Sequence, residues 1–215
     1  MNRRTTVVTL AVAMLALTAC SAAEDDALPV STPSVTQEAE PTSTPTPTPA
    51  PESERGSRAN PLAPGEARLV GADSAFTVSG GVTTFDAWPA VQAENEFNEP
   101  PVEGRQFVMF PLTVAVDWPT IQKQADEGLA EIDAGINPMW SLTVKYVGSD
   151  GTSYGSGPDD YCGVVPDDWS STQAVFDSAT VAGNFCVSVP SAVAQGGTWV
   201  VTNVANDAVF IAATA

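Results

Sequence analysis

Apolar and polar positions alternate along much of the chain beyond residue 55, and this pattern predicts β-strands. Side chains of a strand point alternately to its two faces, so a period of two indicates one buried face. Gly, Pro, Asn and Asp separate the alternating stretches, as turns between antiparallel strands require. The stretches are 67–70, 76–79, 85–93, 107–116, 140–147, 180–189, 198–204 and 208–212. They predict an all-β fold, an antiparallel β-sandwich formed by one domain over residues 55–215.

One segment, residues 120–136, departs from this pattern and predicts a helix. Its apolar residues recur three or four positions apart, at Ile121, Ala125, Leu129, Ile132 and Ile136. Pro119 precedes the segment, and Gly135 and Pro138 close it, as at the two ends of a helix. We therefore expect one short amphipathic helix inserted between two strands, whose acidic side is either a solvated face or a docking surface.

The strand pattern also selects core residues and one hairpin. We expect Trp199, Phe185, Phe107 and Phe110 to lie in or near the core. Residues 149–151, Ser-Asp-Gly, follow an alternating stretch and predict a tight hairpin, because glycine adopts positive φ without a steric penalty.

The N-terminus predicts export and lipidation. Two arginines open it, and an apolar run over 7–17 follows, too short to cross a bilayer as a helix. The order Leu-Thr-Ala-Cys at 17–20 resembles a bacterial lipobox, which implies a signal peptide over 1–19 and a lipidated Cys20. An uncleaved anchor or an ordinary secretory signal are the alternatives. Acylation by two or three chains would hold the protein stably at the outer face of the cytoplasmic membrane.

Residues 20–54 form a predicted spacer rich in Pro, Thr and Ser. Such a composition offers too little apolar surface to offset the entropy of ordering, and proline favours extended polyproline II. We expect a disordered spacer that separates the domain from the membrane.

The net charge bears on the possible partners, and the cysteine count bears on a disulfide. The formal net charge is −18 with no histidine, which excludes nucleic acid as a partner. If Cys20 is lipidated, Cys162 and Cys186 remain as an even pair in an oxidising compartment, where a disulfide is expected. A two-cysteine metal site is the alternative, but the chain has no histidine and no C-x-x-C spacing.

Three further patterns bear on chemistry. Loop carboxylates could supply oxygen ligands to calcium, although EF-hand spacing is absent, and these are Asp159, Asp160, Asp167 and Asp168. The G-x-S-x-G at 151–155 lies between predicted strands and lacks a histidine base, so we expect no enzyme and no cofactor. Three tryptophans beside Pro or Asp could bind a ligand or cap the ends of the sandwich, namely Trp88, Trp118 and Trp169.

Several longer segments resemble a known family. They are GSRANPLAPGE from Gly56, NEFNEPPVEGRQFVMFPLTVAV from Asn95, KYVGSDGTSYG from Lys145, DDYCGVVPDDW from Asp159 and GNFCVSVPSAVAQGGTWVV from Gly183. Together they resemble actinobacterial exported lipoproteins with an immunoglobulin-like domain of unknown function, related in fold to the mycobacterial immunoprotective extracellular antigens. The resemblance implies an immunoglobulin-like β-sandwich in the cell envelope and brings no catalytic residues.

These observations predict a lipid-anchored, extracytoplasmic binding module of the bacterial cell envelope. We expect its partners to be the membrane, through lipid on Cys20, and another envelope protein. The alternative is a surface lipoprotein that binds wall polysaccharide, a small solute or calcium.

Overall fold

The computed structural model describes residues 54–215; the predicted signal peptide, Cys20 and the predicted spacer up to residue 53 lie outside this part of the chain. Residues 54–215 form nine strands and four short helices. The strands are β1 (Ala67–Leu69), β2 (Phe76–Gly80), β3 (Thr84–Phe85), β4 (Arg105–Val116), β5 (Leu142–Val147), β6 (Ser153–Tyr154), β7 (Ala179–Pro190), β8 (Thr198–Asn203) and β9 (Ala208–Ala212). The helices are α1 (Trp88–Glu94), α2 (Trp118–Asp126), α3 (Pro138–Ser141) and α4 (Ser191–Ala194).

The strands form two antiparallel sheets, which confirms the predicted all-β fold. In the first sheet β4 pairs with β7 along its whole length, with Arg105 opposite Pro190 and Val116 opposite Ala179. The other edge of β4 is shared by β3, which pairs with its first half, and β2, which pairs with its second half and carries β1. The second sheet has the order β6-β5-β8-β9.

The predicted hairpin joins β5 to β6. The N–H of Gly151 donates to the carbonyl of Gly148 at 2.9 Å, and Gly151 has a φ of +82°. This is the left-handed region in which glycine is favoured, so the prediction at 149–151 is confirmed.

The two sheets bury one shared core. Alternate residues of β4 point into it, at positions 108, 110, 112, 114 and 116. At its centre the Trp199 ring stacks on Phe110 with 4.8 Å between ring centroids, and the edge of Tyr146 meets it at the same distance. The indole Nε1 of Trp199 donates to Thr83 Oγ1 at 3.0 Å, so its polar atom is satisfied.

Burial in this core also affects the Tyr146 hydroxyl, which donates to the carbonyl of Ala194. Desolvation raises the pKa of Tyr146 to about 12, although a backbone hydrogen bond with Gly197 acts in the opposite direction. The tyrosine is therefore neutral throughout the physiological range.

The strand predicted over 85–93 is wrong. The chain leaves β3 at Phe85, Asp86 has a φ of +53°, and α1 begins at Trp88 with a proline in its first turn. Ala87 and Val91 are buried whereas Pro89, two positions from each, is exposed, which fits helical spacing rather than the alternation of a strand.

The inserted helix is shorter than predicted. α2 ends at Asp126, and Gly128 with a φ of +73° turns the chain away. Leu129 is 75 % exposed, whereas Ile132 and Ile136 pack against the core from irregular backbone. The strand predicted from residue 140 begins instead at Leu142, because α3 occupies the preceding residues.

Candidate functional site

The first sheet is covered on its second face as well. The pleat of β4 turns Phe107 and Met109 away from the shared core, opposite Ser188 and Cys186 of β7. Residues of α1 and of the irregular chain after β6 pack on this outer face and form a second buried cluster. We call residues 155–171, which run from the end of β6 through the 3₁₀ turn at Trp169–Ser171, the disulfide segment.

A disulfide ties the disulfide segment to the sheet below it. Cys162 and Cys186 are bonded with their Cα atoms 6.0 Å apart, as predicted. Cys162 lies in the segment and is 3 % exposed, whereas Cys186 lies inside β7 rather than at a loop–strand junction. The bond therefore fixes an irregular covering layer to a regular strand.

A buried ion pair holds the same segment at a second point. Arg105, on β4, donates through Nη2 to Asp160 Oδ1 at 2.8 Å and through Nε to Ser188 Oγ at 2.9 Å. The two charged side chains are only 18 % and 13 % exposed. The guanidinium also lies over the Tyr154 ring, 5.9 Å from its centroid.

Asp160 makes further hydrogen bonds through its other oxygen, Oδ2, and we call Arg105 and Asp160 with the groups they bind the clamp. Oδ2 accepts hydrogen bonds from the N–H groups of Gly155, Ser156 and Gly157 at 2.8, 3.2 and 2.9 Å. Burial opposes ionisation of Asp160, but the three backbone donors and Arg105 outweigh it, so its pKa is lowered. The negative charge of Asp160 therefore stabilises the conformation of the chain at residues 155–157.

Asn98 connects the chain after α1 to the disulfide segment. Its side-chain amide donates to the carbonyls of Val91 and Val164, both at 2.7 Å, and its Oδ1 accepts from the N–H of Val164 at 2.9 Å. Gly163, with a φ of +87°, passes so close that a Cβ there would lie 2.3 Å from Asn98 Oδ1. Only glycine fits at this crossing.

The free edge of β7 is covered by the end of the disulfide segment. The N–H of Asn184 donates to the Asp167 carbonyl at 2.7 Å, and its side-chain amide donates to the Pro166 carbonyl at 2.8 Å. A Cβ at Gly183 would lie 2.8 Å from the Cα of Trp169, so the glycine permits this close approach. The edge is thereby protected from pairing with another chain.

These connections create a groove between the disulfide segment and residues 97–102, which we call the Tyr161 groove. Its volume is about 430 Å³, with Phe107 among its lining residues. Apolar side chains in its wall are unusually exposed, with Phe97 at 83 %, Tyr161 at 75 % and Val102 at 61 %. Pro100, Pro101 and Pro158 also line it.

A second cavity of about 410 Å³ lies next to this groove and also has Tyr161 in its wall. Its lining includes Met139, Trp169 and Phe185, together with the clamp residue Asp160. The two cavities share Tyr161, Cys162 and Gly163, so the disulfide-bonded stretch separates them.

The groove is acidic. Glu99 and Asp159 line it, and the exposed Glu96 and Glu103 adjoin Phe97 and Val102 in sequence. The ion pairs found within residues 54–215 are Arg55–Glu66, Arg68–Glu54 and Arg105–Asp160, so none of these four carboxylates is neutralised by one. Glu99 and Asp159, which we call the rim, therefore give the groove wall negative charge that no ion pair within residues 54–215 compensates.

The three predicted tryptophans do not form a site. Trp169 is only 4 % exposed, although it is among the lining residues of the second cavity, and its role in ligand binding stays a prediction. Trp88 is half-buried with its ring centroid 6.0 Å from that of Phe107, and Trp118 is half-buried against the shared core. Their packing supports the alternative reading, in which they close the edges of the fold. The exposed tryptophan is Trp140, at 79 %.

The predicted calcium ligands do not converge either. Asp160 is engaged in the clamp, and Asp168 Oδ1 accepts from the N–H of Ser170 at 2.7 Å. Among residues 54–215, no three His, Cys, Asp or Glu side chains lie close enough to hold a metal ion. Within residues 54–215 the structure therefore does not gather Asp159, Asp160, Asp167 and Asp168 into one carboxylate cluster, and calcium binding stays a prediction.

The G-x-S-x-G motif has hairpin geometry. Ser153 lies exposed on the two-residue strand β6, paired with Val147. The chain continues to Gly155 and the clamp rather than into an α-helix, so the strand-to-helix turn of a nucleophile elbow is not formed here.

In the helices of residues 54–215 no span is both long and apolar enough for a membrane crossing. Comparison of the chain with protein-family models, with curated proteins and with solved structures found no match.

Proposed function

We propose that the protein is a lipid-anchored binding module of the bacterial cell envelope, which presents the Tyr161 groove to a protein partner. In this proposal the signal peptide over 1–19 is removed, Cys20 carries lipid at the outer face of the cytoplasmic membrane, and the spacer extends the domain outward. The domain binds its partner and turns over no substrate.

The observation that carries the proposal is the exposure of apolar rings on a rigid frame. Phe97 and Tyr161 are 83 % and 75 % exposed, although the chain around them is fixed by a disulfide, a buried ion pair and the Asn98 bridge. Aromatic side chains grouped around a concavity are typical of binding surfaces, since a partner that covers them removes apolar surface from water.

The cysteine pairing supports the anchor. The chain has three cysteines, and the bond between Cys162 and Cys186 uses two of them. Cys20 is then the one cysteine left for acylation, at the position where the lipobox-like sequence ends.

We further propose an immunoglobulin-like β-sandwich. Two antiparallel sheets that share one core, with a tryptophan at its centre, support this proposal. The disulfide differs from the usual arrangement, because in antibody domains the bond crosses the core between the sheets. Here it joins β7 to the layer on its outer face.

A wall polysaccharide is the second candidate ligand. The Tyr161 groove holds exposed rings beside carboxylates and the Asn98 amide, and flat rings can stack on sugar faces while such polar groups bond to hydroxyls. The exposed apolar side chains and the prolines in the wall favour a peptide.

In-cell photocrosslinking tests the proposal. A photoreactive amino acid placed at Tyr161 is expected to give one recurrent protein adduct, identified by mass spectrometry. The same residue at Trp140, equally exposed at 79 % but outside both cavities, is the matched control and is expected to give none. Equal labelling from both positions, or none from either, would contradict the proposal.

A further inference from the structure

We infer that the Tyr161 groove binds an extended, proline-rich peptide segment that carries lysine or arginine. The inference rests on the proposed function, because it names the chemistry of the partner for the same groove.

The apolar wall is suited to proline. Segments in polyproline II dock into aromatic-lined grooves, because their preformed conformation loses little entropy on binding. In the Tyr161 groove the rings of Phe97 and Tyr161 are available to solvent, and Pro100 and Pro101 add further rigid apolar surface. A rigid wall of this kind, fixed to β7 through Cys162, needs no ordering of its own when a ligand arrives.

The charge of the rim selects a cationic segment. Glu99 and Asp159 lie in the groove wall and have no ion-pair partner among the described residues. Arg105, which donates to the groove residue Ser188, is already paired with Asp160. A ligand lysine or arginine would therefore supply the missing charge, whereas an acidic ligand would be repelled.

The same charge disfavours the chain's own proline-rich spacer. Residues 41–49 read PTSTPTPTP, which has the proline content that the groove suits. However, residues 20–53 contain Glu and Asp but neither Lys nor Arg. The occupant is therefore a separate molecule, and the spacer sequence becomes a natural control for the contribution of charge.

Fluorescence anisotropy with labelled peptides tests the inference on the full-length chain. One peptide is the neutral PTSTPTPTP of residues 41–49, and the other carries lysine in place of three of its threonines. We expect the lysine peptide to bind about ten-fold more tightly, with an affinity that falls as salt is raised.

Substitutions locate the binding. Tyr161→Ala is expected to weaken the lysine peptide about ten-fold, as the loss of an aromatic anchor does. The Glu99→Gln and Asp159→Asn double variant is expected to weaken it several-fold and to reduce the salt dependence. Trp140→Ala is the control and is expected to bind as the parent does. All of these side chains are exposed, so each variant should retain the parental melting temperature.

The outcomes separate this inference from the proposed function. Equal binding of the two peptides, or no loss with Tyr161→Ala, overturns the inference. Binding of wall-glycan fragments that is lost with Tyr161→Ala, with both peptides silent, also overturns it but leaves a binding groove in place. If neither the peptides nor the glycan fragments bind and position 161 gives no crosslink, both the inference and the proposed function are overturned.

Discussion

The two faces of the first sheet are held in place by different means. Its inner face meets the second sheet in a continuous apolar core centred on Trp199. Its outer face is covered by α1 and the disulfide segment, with a smaller cluster and a set of specific connections: one disulfide, the Arg105–Asp160 ion pair and the Asn98 bridge. The inner face is stabilised mainly by apolar burial, to which the hydrogen bonds of Trp199 and Tyr146 add, whereas the outer layer combines its smaller apolar cluster with these cross-links.

This difference assigns separate roles to the two layers. A core of alternating strand residues tolerates variation wherever volume and pattern are kept. The outer layer uses irregular backbone, whose polar groups need named partners, and this is what allows it to present rings to solvent. The groove therefore lies in the outer layer, which is held by specific cross-links in addition to a small apolar cluster.

The largest effect is expected in the core. Trp199→Ala removes a ring that stacks on Phe110 at 4.8 Å and leaves Thr83 without its donor. The free energy of unfolding should fall by about 3–5 kcal/mol in urea denaturation. Trp140→Ala is the matched control, because that ring is 79 % exposed, and it should change stability by less than about 0.5 kcal/mol. Equal effects of the two variants would contradict the assignment of Trp199 to the core.

The disulfide should rank next. The double variant Cys162→Ser with Cys186→Ser releases a link across 24 residues, which the chain-entropy model values at about 3.5 kcal/mol. We expect a lower melting temperature, and the same lowering in the parent protein after reduction. An unchanged melting temperature in both would mean that the outer layer stands without its bond.

The clamp should contribute less to the free energy of unfolding, and its contribution should depend on pH. Asp160→Asn leaves Arg105 without its counter-ion and weakens three backbone hydrogen bonds, at about 1–3 kcal/mol. Because the pKa of Asp160 is lowered on folding, its stabilisation is present above the ordinary value of 3.8 and is lost as pH falls through the folded pKa. The parent should therefore lose stability in acid more steeply than the variant. Parallel curves of melting temperature against pH would show that the carboxylate charge is not used.

The smallest effect concerns Tyr146. Tyr146→Phe removes its hydrogen bond to Ala194 and should cost about 1 kcal/mol at neutral pH. Because folding raises this pKa from 10.0 to about 12, the stabilisation is complete below pH 10 and is lost as pH rises towards 12. The parent should lose stability in that alkaline range, and the variant should lose less. Stability measured at pH 9 and pH 11 for both proteins provides the comparison.

The sequence predicts the regular layer well because its signals are local. Alternation identifies β4, β7, β8 and β9, and the aromatic residues of these strands include the core pair Phe110 and Trp199. The pairing of Cys162 with Cys186 follows from counting the cysteines that remain if Cys20 is lipidated. Local signals fail where conformation overrides pattern, as at Asp86, whose positive φ turns an alternating stretch into the start of α1.

The groove could not be predicted in the same way, since it joins residues far apart in the chain. Asn98 reaches Val164 across 66 positions, and no local pattern indicates such a contact. The position of Trp169 beside aspartate gives no sign of its burial, which depends on the close approach to β7 that Gly183 permits. The local signal is an aromatic residue, Tyr161, between Asp160 and the disulfide cysteine Cys162, in a stretch without strand periodicity.

Hydrogen exchange of the full-length chain, before and after reduction of the disulfide, tests most directly whether the outer layer depends on its cross-link. We expect amides of residues 155–171 and 86–104 to lose protection on reduction, while those of β8 and β9 keep theirs. In the same samples the lysine peptide should no longer bind. Uniform loss of protection across both sheets, or unchanged protection in the disulfide segment, would contradict the account.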